Sequence, residues 1–531
     1  ASNGRVSVAC APSDSNYVYS FIENRKGDNT YGQGGAIILR KSTDNGATWS
    51  DMAQPDDADN EIPSDDFARG QAFYDQAIEV DPTDPKIIIV GGINLFRSAN
   101  GGASWTQISK WSNNASMNTL RCSIVHADQH VISFKPGSSS TALFGTDGGV
   151  YFSSSLSTAA NTDVIGSRNK NYNVTQFYSA AVYPTPGVNN HLAGAQDNGT
   201  QRYATDGMNS TIDVSGGDGG FCFIDQLDPA YQINSYVYNN FYLSTNNGAP
   251  NSFTNKILTE TAASATSGFI NPACYDNNQH ALYTYKSSGS PTGGALNLVK
   301  NITTTPVVST VPITNLSSAV SAFKVSPYTL SSTTLYIGTM SGKLIRVTDA
   351  GGKPVETDIT SNLPVGAISC IEVGRSEGEL LVTYFNYGIN KIWHSTDSGT
   401  TWVNKMGDFK NMPVRWALFN PNHPTKEVLL ATELGIYGTT NFDNAAPNWT
   451  AKNTGFANVR TEMLQMRNAD YLVIAATHGR GLFSSLEFSE AAAPTISSFT
   501  PVNGSSGTTV TITGTNFTGA TAVSFGGAAA A

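Results

Sequence analysis

The phrase "HADQH" carries the densest group of side chains able to bind a metal or move a proton. It places His126, Asp128 and His130 at alternate positions. On a strand these three would share one face. Two imidazoles and a carboxylate can hold a divalent metal. The same groups can instead form a hydrogen-bonded cluster between strands, or touch a ligand, and the local sequence offers no fourth metal ligand. A second concentration is "QPDDADNEIPSDD" (54–66), which brings Asp56, Asp57, Asp59 and Glu61 into one loop with Asp65 and Asp66. Hard oxygen ligands at that density suit calcium, the one cofactor the sequence suggests, although the spacing is not that of an EF-hand. A solvated acidic loop is the competing reading. No GxSxG elbow, P-loop or HExxH pair occurs.

The elements that would position these residues are strands. A phrase of apolar strand, Pro- or Asp-containing turn, apolar strand, Gly turn and third strand recurs along the chain. "AIEVDPTDPKIIIVGGINLFRS" (77–98) and "AFKVSPYTLSSTTLYIGTMSGKLIRVT" (322–348) are clear copies, and weaker ones start near Val6, Phe221 and Pro272. About ten units at roughly 45–60-residue spacing predict the four-stranded blades of an all-β propeller. They would form either one wide ring or a seven-bladed ring plus three blades of another. Helical periodicity is absent.

A second phrase, S-x-D-x-G-x-x-W, recurs at longer intervals. It places Ser42, Asp44, Gly46 and Trp49; Ser98, Asn100, Gly102 and Trp105; and Ser395, Asp397, Gly399 and Trp402. Ser244, Asn246 and Gly248 form a copy without the tryptophan. The residue types predict a turn in which Asp or Asn accepts backbone N–H groups and Gly takes positive φ, with Trp folded back as an apolar plug.

Composition agrees with a β-rich, turn-rich extracellular protein. Charged residues are 14% of 531 and Gly numbers 50. A net charge of −10 argues against nucleic acid and anionic membranes as partners. No apolar run is long enough for a transmembrane helix. The five scattered cysteines form no CxxC pair and read as buried thiols, with at most an occasional disulfide.

In an up-and-down blade, the turn between strands two and three shares a face with the links between blades, while the S-x-D-x-G turns lie on the opposite face. The first face should therefore gather Tyr74, Asp75, Gln76, His126, Asp128, His130, Asp147, Gln196, Asp197, Asn198, Asp218, Arg415, Trp416, Arg460, His478 and Arg480 into one polar mouth. Propeller ligands bind at such mouths.

The S-x-D-x-G-x-x-W phrase resembles the Asp-box, or BNR repeat, of sialidases, sortilin-type receptors and xyloglucanase-type glycoside hydrolases. With "GTDGGVY", "GAQDNGT", "GGDGGF" and "THGRG", residues 1–488 resemble the large secreted BNR propeller proteins of Bacteroidetes. That resemblance implies further domains beyond both ends of the sequence. It also offers Asp147 and Asp218 as a catalytic acid and base, because their Gly-rich surroundings are similar to those of the xyloglucanase-type aspartates. Here the two lie in nearby blades, whereas those relatives place them on separate propellers. Sialidase chemistry would need three arginines on a carboxylate, for which only Arg415, Arg460 and Arg480 are available.

After an Ala/Pro linker (489–494), residues 495–531 resemble the first half of an immunoglobulin-like IPT/TIG domain, on "ISSFTPVNG" and "VTITGTNF". The reading that follows is a secreted or surface-displayed propeller that binds a glycan, an extracellular polymer or a surface protein. A glycoside hydrolase and a sortilin-like peptide receptor are the alternatives.

Overall fold

The computed structural model describes residues 2–25, 37–205, 207–208, 211–260, 268–287, 294–316, 318–488, 495–515, 517, 522–525 and 528–529. Strands dominate, and the only described helix is the single 3-10 turn Leu156–Thr158. Ten consecutive sheets follow one another, each with its strands hydrogen-bonded in chain order. We number them sheets 1 to 10. They begin at the strands Ser2–Cys10, Ala77–Val80, Gln129–Phe134, Phe177–Ala181, Cys222–Ile224, Ala273–Asp276, Val320–Val325, Ile368–Val373, Val414–Phe419 and Thr461–Met466. Sheets 1 to 9 have four strands; sheet 10 has three among the described residues. The weak copies inferred near Val6, Phe221 and Pro272 are thus full sheets.

Two compact units result. The first holds 1–175 with 195–201 and 205–219; the second holds 176–194, 202–204 and 220–531.

Within the second unit the sheets close on themselves. The strand Phe177–Ala181 packs against Thr461–Met466 and Val473–Thr477 of sheet 10. Gln176 bridges to His478, and Ala180 N donates to Met463 Sδ at 3.4 Å. Arg467, buried to 3% exposure, is the clasp: its Nη1 donates to Thr185 O at 3.0 Å and to Tyr183 O and Val188 O at 3.4 Å. Asp470 neutralises it through two 2.7 Å contacts. The second unit is therefore a seven-bladed ring. The three remaining sheets belong to the first unit, so seven plus three is the arrangement adopted.

The core is distributed between neighbouring blades. Trp402, Leu380 and Val382 of sheet 8 pack on Tyr336 and Leu344 of sheet 7, and Ile233, Phe241 and Leu243 of sheet 5 pack on Tyr275 and Leu282 of sheet 6. Because these blades are covered on both faces, second strands such as Leu335–Thr339, Leu380–Tyr384 and Val428–Thr432 are buried at every position. That is why they read as unbroken apolar runs rather than alternating ones.

The S-x-D-x-G turns join third to fourth strands as inferred. Ser42 Oγ accepts from Gly46 N at 2.8 Å and donates to Asp44 Oδ1 at 2.7 Å, while Asp44 Oδ1 accepts from Thr48 N at 2.8 Å. Gly46 takes φ +86°. Ser98 and Ser395 repeat the pattern with Gly102 and Gly399, and Ser244 repeats its serine–glycine bond with Gly248. The tryptophan follows a further rule: its indole N–H donates to the carbonyl just past the last strand of the preceding sheet. Trp105 reaches Ala53 O at 2.8 Å and Trp402 reaches Ile359 O at 3.0 Å. Trp449, in a turn with Thr439 and Asn441 in place of Ser and Asp, reaches Lys405 O at 3.1 Å. Trp49 departs from the expected plug. It bonds Gly46 O at 3.1 Å, within its own turn, and stays 42% exposed.

The five thiols are free; all but Cys10 are buried, and burial pushes Cys222 and Cys370 up to about 12. The residues of the linker 489–494 lie outside those described.

Two outcomes follow for stability. Trp402→Ala should destabilise the second unit by about 3–5 kcal/mol, whereas Trp49→Ala should change stability by less than about 0.5 kcal/mol, read from urea unfolding midpoints. Arg467→Ala removes the guanidinium from Asp470 and leaves three carbonyls without this donor. It should cost about 3 kcal/mol and accelerate proteolysis in 183–190, with wild-type cleavage rates as the contrary result.

Candidate functional site

The residues expected to line one mouth fall into two groups, one in each unit. Tyr74, Asp75, Gln76, His126, Asp128, His130, Asp147, Gln196, Asp197, Asn198 and Asp218 belong to the first unit. Arg415, Trp416, Arg460, His478 and Arg480 belong to the second.

In the first unit the group is an acidic cluster. Tyr74 and Asp75 end a turn whose N–H groups bond Gln71 O, just before the strand Ala77–Val80. His126 and Asp128 precede their strand, which starts at Gln129, and Asp128 has φ +65°. The expected common strand face for His126, Asp128 and His130 is therefore not how they meet. His126 turns to Asp197 O at 2.9 Å, Asp128 faces Asp75, and His130 Nε2 bonds Asp147. Tyr74 donates to Asp147 at 3.2 Å and lies edge-on to the His130 ring. Asp197 occupies the turn after the strand His191–Ala195 at φ +54°. Its N–H donates to Asp218 Oδ1 at 3.1 Å, and Gln196 Nε2 bridges Asp197 and Asp218 at 3.0 Å each. Asn198 Nδ2 ties the turn to Asp147 O at 3.0 Å.

Glycines admit this crowding. A Cβ on Gly148 would stand 2.3 Å from the His126 ring, and one on Gly219 would stand 2.2 Å from Gly199 O. The Gly-flanked aspartates of "GTDGGVY" and "GGDGGF" thus mark close backbone approach.

Oxygen atoms of Asp128, Asp147 and Asp197 lie within 4.8 Å of one another. Asp75 is fully buried beside them, and neither of its carboxylate oxygens receives a hydrogen bond. Burial, then Asp128, pushes Asp75 up to about 10. Burial, then the Asp147 carboxylate, pushes Asp197 up to about 7. Burial works against ionised Asp147 too, but its bonds from His130, Asp197 and Tyr74 prevail and hold it low. The carboxylates close enough to share one hard cation are therefore Asp128, Asp147 and Asp197, with the unpartnered Asp75 beside Asp128.

The acidic loop divides into exposed and buried carboxylates, with Asp56, Glu61 and Asp65 exposed. Asp57, Asp59 and Asp66 are buried rather than solvated. Protein donors also occupy their oxygens: Asn94 and Gln107 on Asp57, Trp111 and Asn114 on Asp59, and Ala68 N and Gly70 N on Asp66. Glu61 pairs with Arg69 at 3.0 Å. The buried carboxylates of this loop are thus held in a hydrogen-bonded turn, while Asp56 and Glu61 stand exposed.

In the second unit Arg415 pairs with Glu433 at 2.8 Å and Glu462 at 3.4 Å, Arg460 with Glu462 at 2.5 Å, and His478 with Glu462 at 3.1 Å. Two of the three arginines considered for a carboxylate grip are thus committed to glutamates, and Arg480 is exposed.

Sequence reasoning missed a third feature. An axial cavity of about 630 Å³ is lined by residues from all seven innermost strands of the ring. Phe221, Phe223, Tyr328 and Trp416 give it aromatic walls, and Gln465 and Asn468 supply amides; Lys324 and Glu372 pair at 2.7 Å on its wall. It lies toward the first-turn ends of the strands, on the side of the S-x-D-x-G turns, opposite the expected mouth. The signal was the period-2 aromatic pair in "GFCFI", on an innermost strand.

A family model for the IPT/TIG domain matches residues 494–531. The pairing of Thr495–Thr500 with Thr511–Thr515 gives that segment its first described hairpin. No curated protein matches the chain.

Glu462 yields a pH prediction. Burial opposes its charge, but His478, Arg415 and Arg460 outweigh burial and lower its pKa in the fold. Its stabilisation should be complete above the unfolded value near ~4.5 and lost as pH falls through the lower folded value. Glu462→Gln should destabilise by about 3 kcal/mol at pH 7, with the difference from wild type shrinking toward pH 3 in urea titrations.

Proposed function

We propose that the chain is a secreted or surface-displayed binding and adhesion module, in which the propeller ring recognises a glycan or extracellular polymer and the IPT/TIG domain acts as a spacer. The observation that carries this reading is the axial cavity. Aromatic faces stack on the C–H faces of sugars, and side-chain amides match hydroxyl groups; Phe221, Phe223, Tyr328 and Trp416 stand there with Gln465 and Asn468. The IPT/TIG match supports an extracellular setting. No described helix is long and apolar enough to cross a membrane.

A glycosidase needs one carboxyl on each side of the bond, about 5–9.5 Å apart. Asp218 accepts hydrogen bonds from Asp197 and Gln196, and Asp147 is bonded to His130 and Tyr74, so both carboxylates are engaged by protein groups. In the cavity, Glu372 is bound to Lys324. This geometry favours binding over hydrolysis at either place. A sortilin-like peptide receptor would use the same axial cavity.

Affinity electrophoresis against a panel of soluble polysaccharides tests the proposal. Tyr328→Ala and Trp416→Ala should each weaken retention of the bound polymer by about tenfold or more. Retention of none of the panel, with capture of peptides from a random library, would move the assignment to the receptor reading.

A further inference from the structure

We propose that Asp75, Asp128, Asp147 and Asp197 form a binding site for one hard divalent cation of the calcium type, in the first unit and separate from the axial cavity.

Asp75 is the decisive residue. Its side chain is completely buried, and both oxygens lack any N–H or O–H partner among the described residues. It faces another carboxylate, Asp128, within hydrogen-bonding reach. Two acceptors placed face to face with no donor between them require a third, positive body. The contrast with Asp57 and Asp59 is instructive: there, buried carboxylates are met by amide and indole donors.

The surrounding groups are placed as supports for metal ligands. His130 Nε2 and the Tyr74 hydroxyl orient the Asp147 carboxylate. Gln196 Nε2 orients Asp197 Oδ1 and is itself shared with Asp218. Hydrogen-bonded second partners of this kind fix the direction of ligating carboxylates. The oxygens of Asp128, Asp147 and Asp197, within 4.8 Å of one another, can approach one ion from several sides, with Asp75 behind Asp128 as the fourth carboxylate. Four carboxylates without thiolate or free imidazole select a hard cation. Calcium accepts such dense, irregular oxygen sets, whereas magnesium keeps most of its waters.

The site draws on four separated stretches: the turn before Ala77–Val80, the two turns flanking sheet 3's first strand pair, and the 195–201 turn. An ion there would hold these stretches of the first unit together.

The test uses the whole chain after EDTA treatment and desalting. Calorimetric titration with CaCl₂ should show one site per chain, and terbium should give luminescence sensitised by the nearby Tyr74. Calcium should raise the melting temperature, and magnesium at equal concentration should do so less. Asp128→Asn and Asp197→Asn should each weaken calcium at least about tenfold while keeping the wild-type far-UV spectrum. Asp197→Asn serves where the more buried Asp128 change impairs folding. Absence of calcium binding up to 10 mM, measured by both methods on folded wild type, would overturn the proposal and leave shared protons as the neutralising species. Equal affinity in wild type and folded Asp197→Asn would overturn the residue assignment. Polysaccharide retention by the axial cavity is a separate readout, so failure of one assay does not imply failure of the other.

Discussion

A four-stranded sheet with two apolar faces is stable only between two neighbours. This constraint organises the second unit. Each blade covers the next, and the series ends only when the last blade covers the first. Arg467 sits at that closing contact and spends its donors on carbonyls from the opposite end of the ring. The axial cavity is a consequence of the same closure. Seven innermost strands cannot meet at a point, and the space left among them is lined by whichever side chains face inward. In the first unit the stack has three sheets, and apolar side chains stand exposed at its ends: Val6 and Val8 on sheet 1, and Val131 and Leu143 on sheet 3.

Local fastening makes the stacking regular. The Ser–Asp–Gly turn is closed by its own side chains, so it can form before any blade contact exists. The tryptophan then converts a local turn into a joint between blades through one indole N–H and one buried ring. Trp402, Trp105 and Trp449 make the same connection on three different blade pairs. Asp44 is held at about 2, through bonds from Thr48 and Ser42, so the turn keeps its charge across the physiological range.

What was legible in the sequence was local. Second strands with both faces buried, such as "KIIIVGG" and "TTLYIGT", announce blades directly. Glycine at positive φ and Ser at the right spacing announce the third turn. What was not legible depends on partners distant in the chain. Ring size rests on contacts such as Gln176 with His478, which no repeat spacing specifies. The acidic loop looked like a solvated or calcium-binding segment because its donors, Asn94, Gln107, Trp111 and Asn114, come from later strands and loops. The "HADQH" spacing implies a common strand face, which the positive φ of Asp128 breaks; His126 and His130 instead reach Asp197 and Asp147. Asp75 carried no local sign of its importance, since a lone Asp beside Tyr and Gln has no spacing to read.

The magnitude of the acidic cluster's self-repulsion decides how it must be viewed. Two unit charges 4.8 Å apart repel by about 3 kcal/mol at an effective dielectric of ~20, and three such pairs approach ~10 kcal/mol, the whole stability of an ordinary domain. Hydrogen bonds from Tyr74 and His130 to Asp147 and from Gln196 to Asp197 offset part of this, at about 1.5–3 kcal/mol each for bonds to charged groups. None of them reaches Asp75. Neutralisation must therefore come from protons or from a cation. Protons would leave these stretches bridged by single shared hydrogens that loosen as pH rises, whereas a cation would tighten them once the same carboxylates ionise. The two alternatives give opposite dependences of the first unit's stability on pH, and the fold of glycine-relieved turns around His126 and Asp197 is compatible with the crowding that either requires.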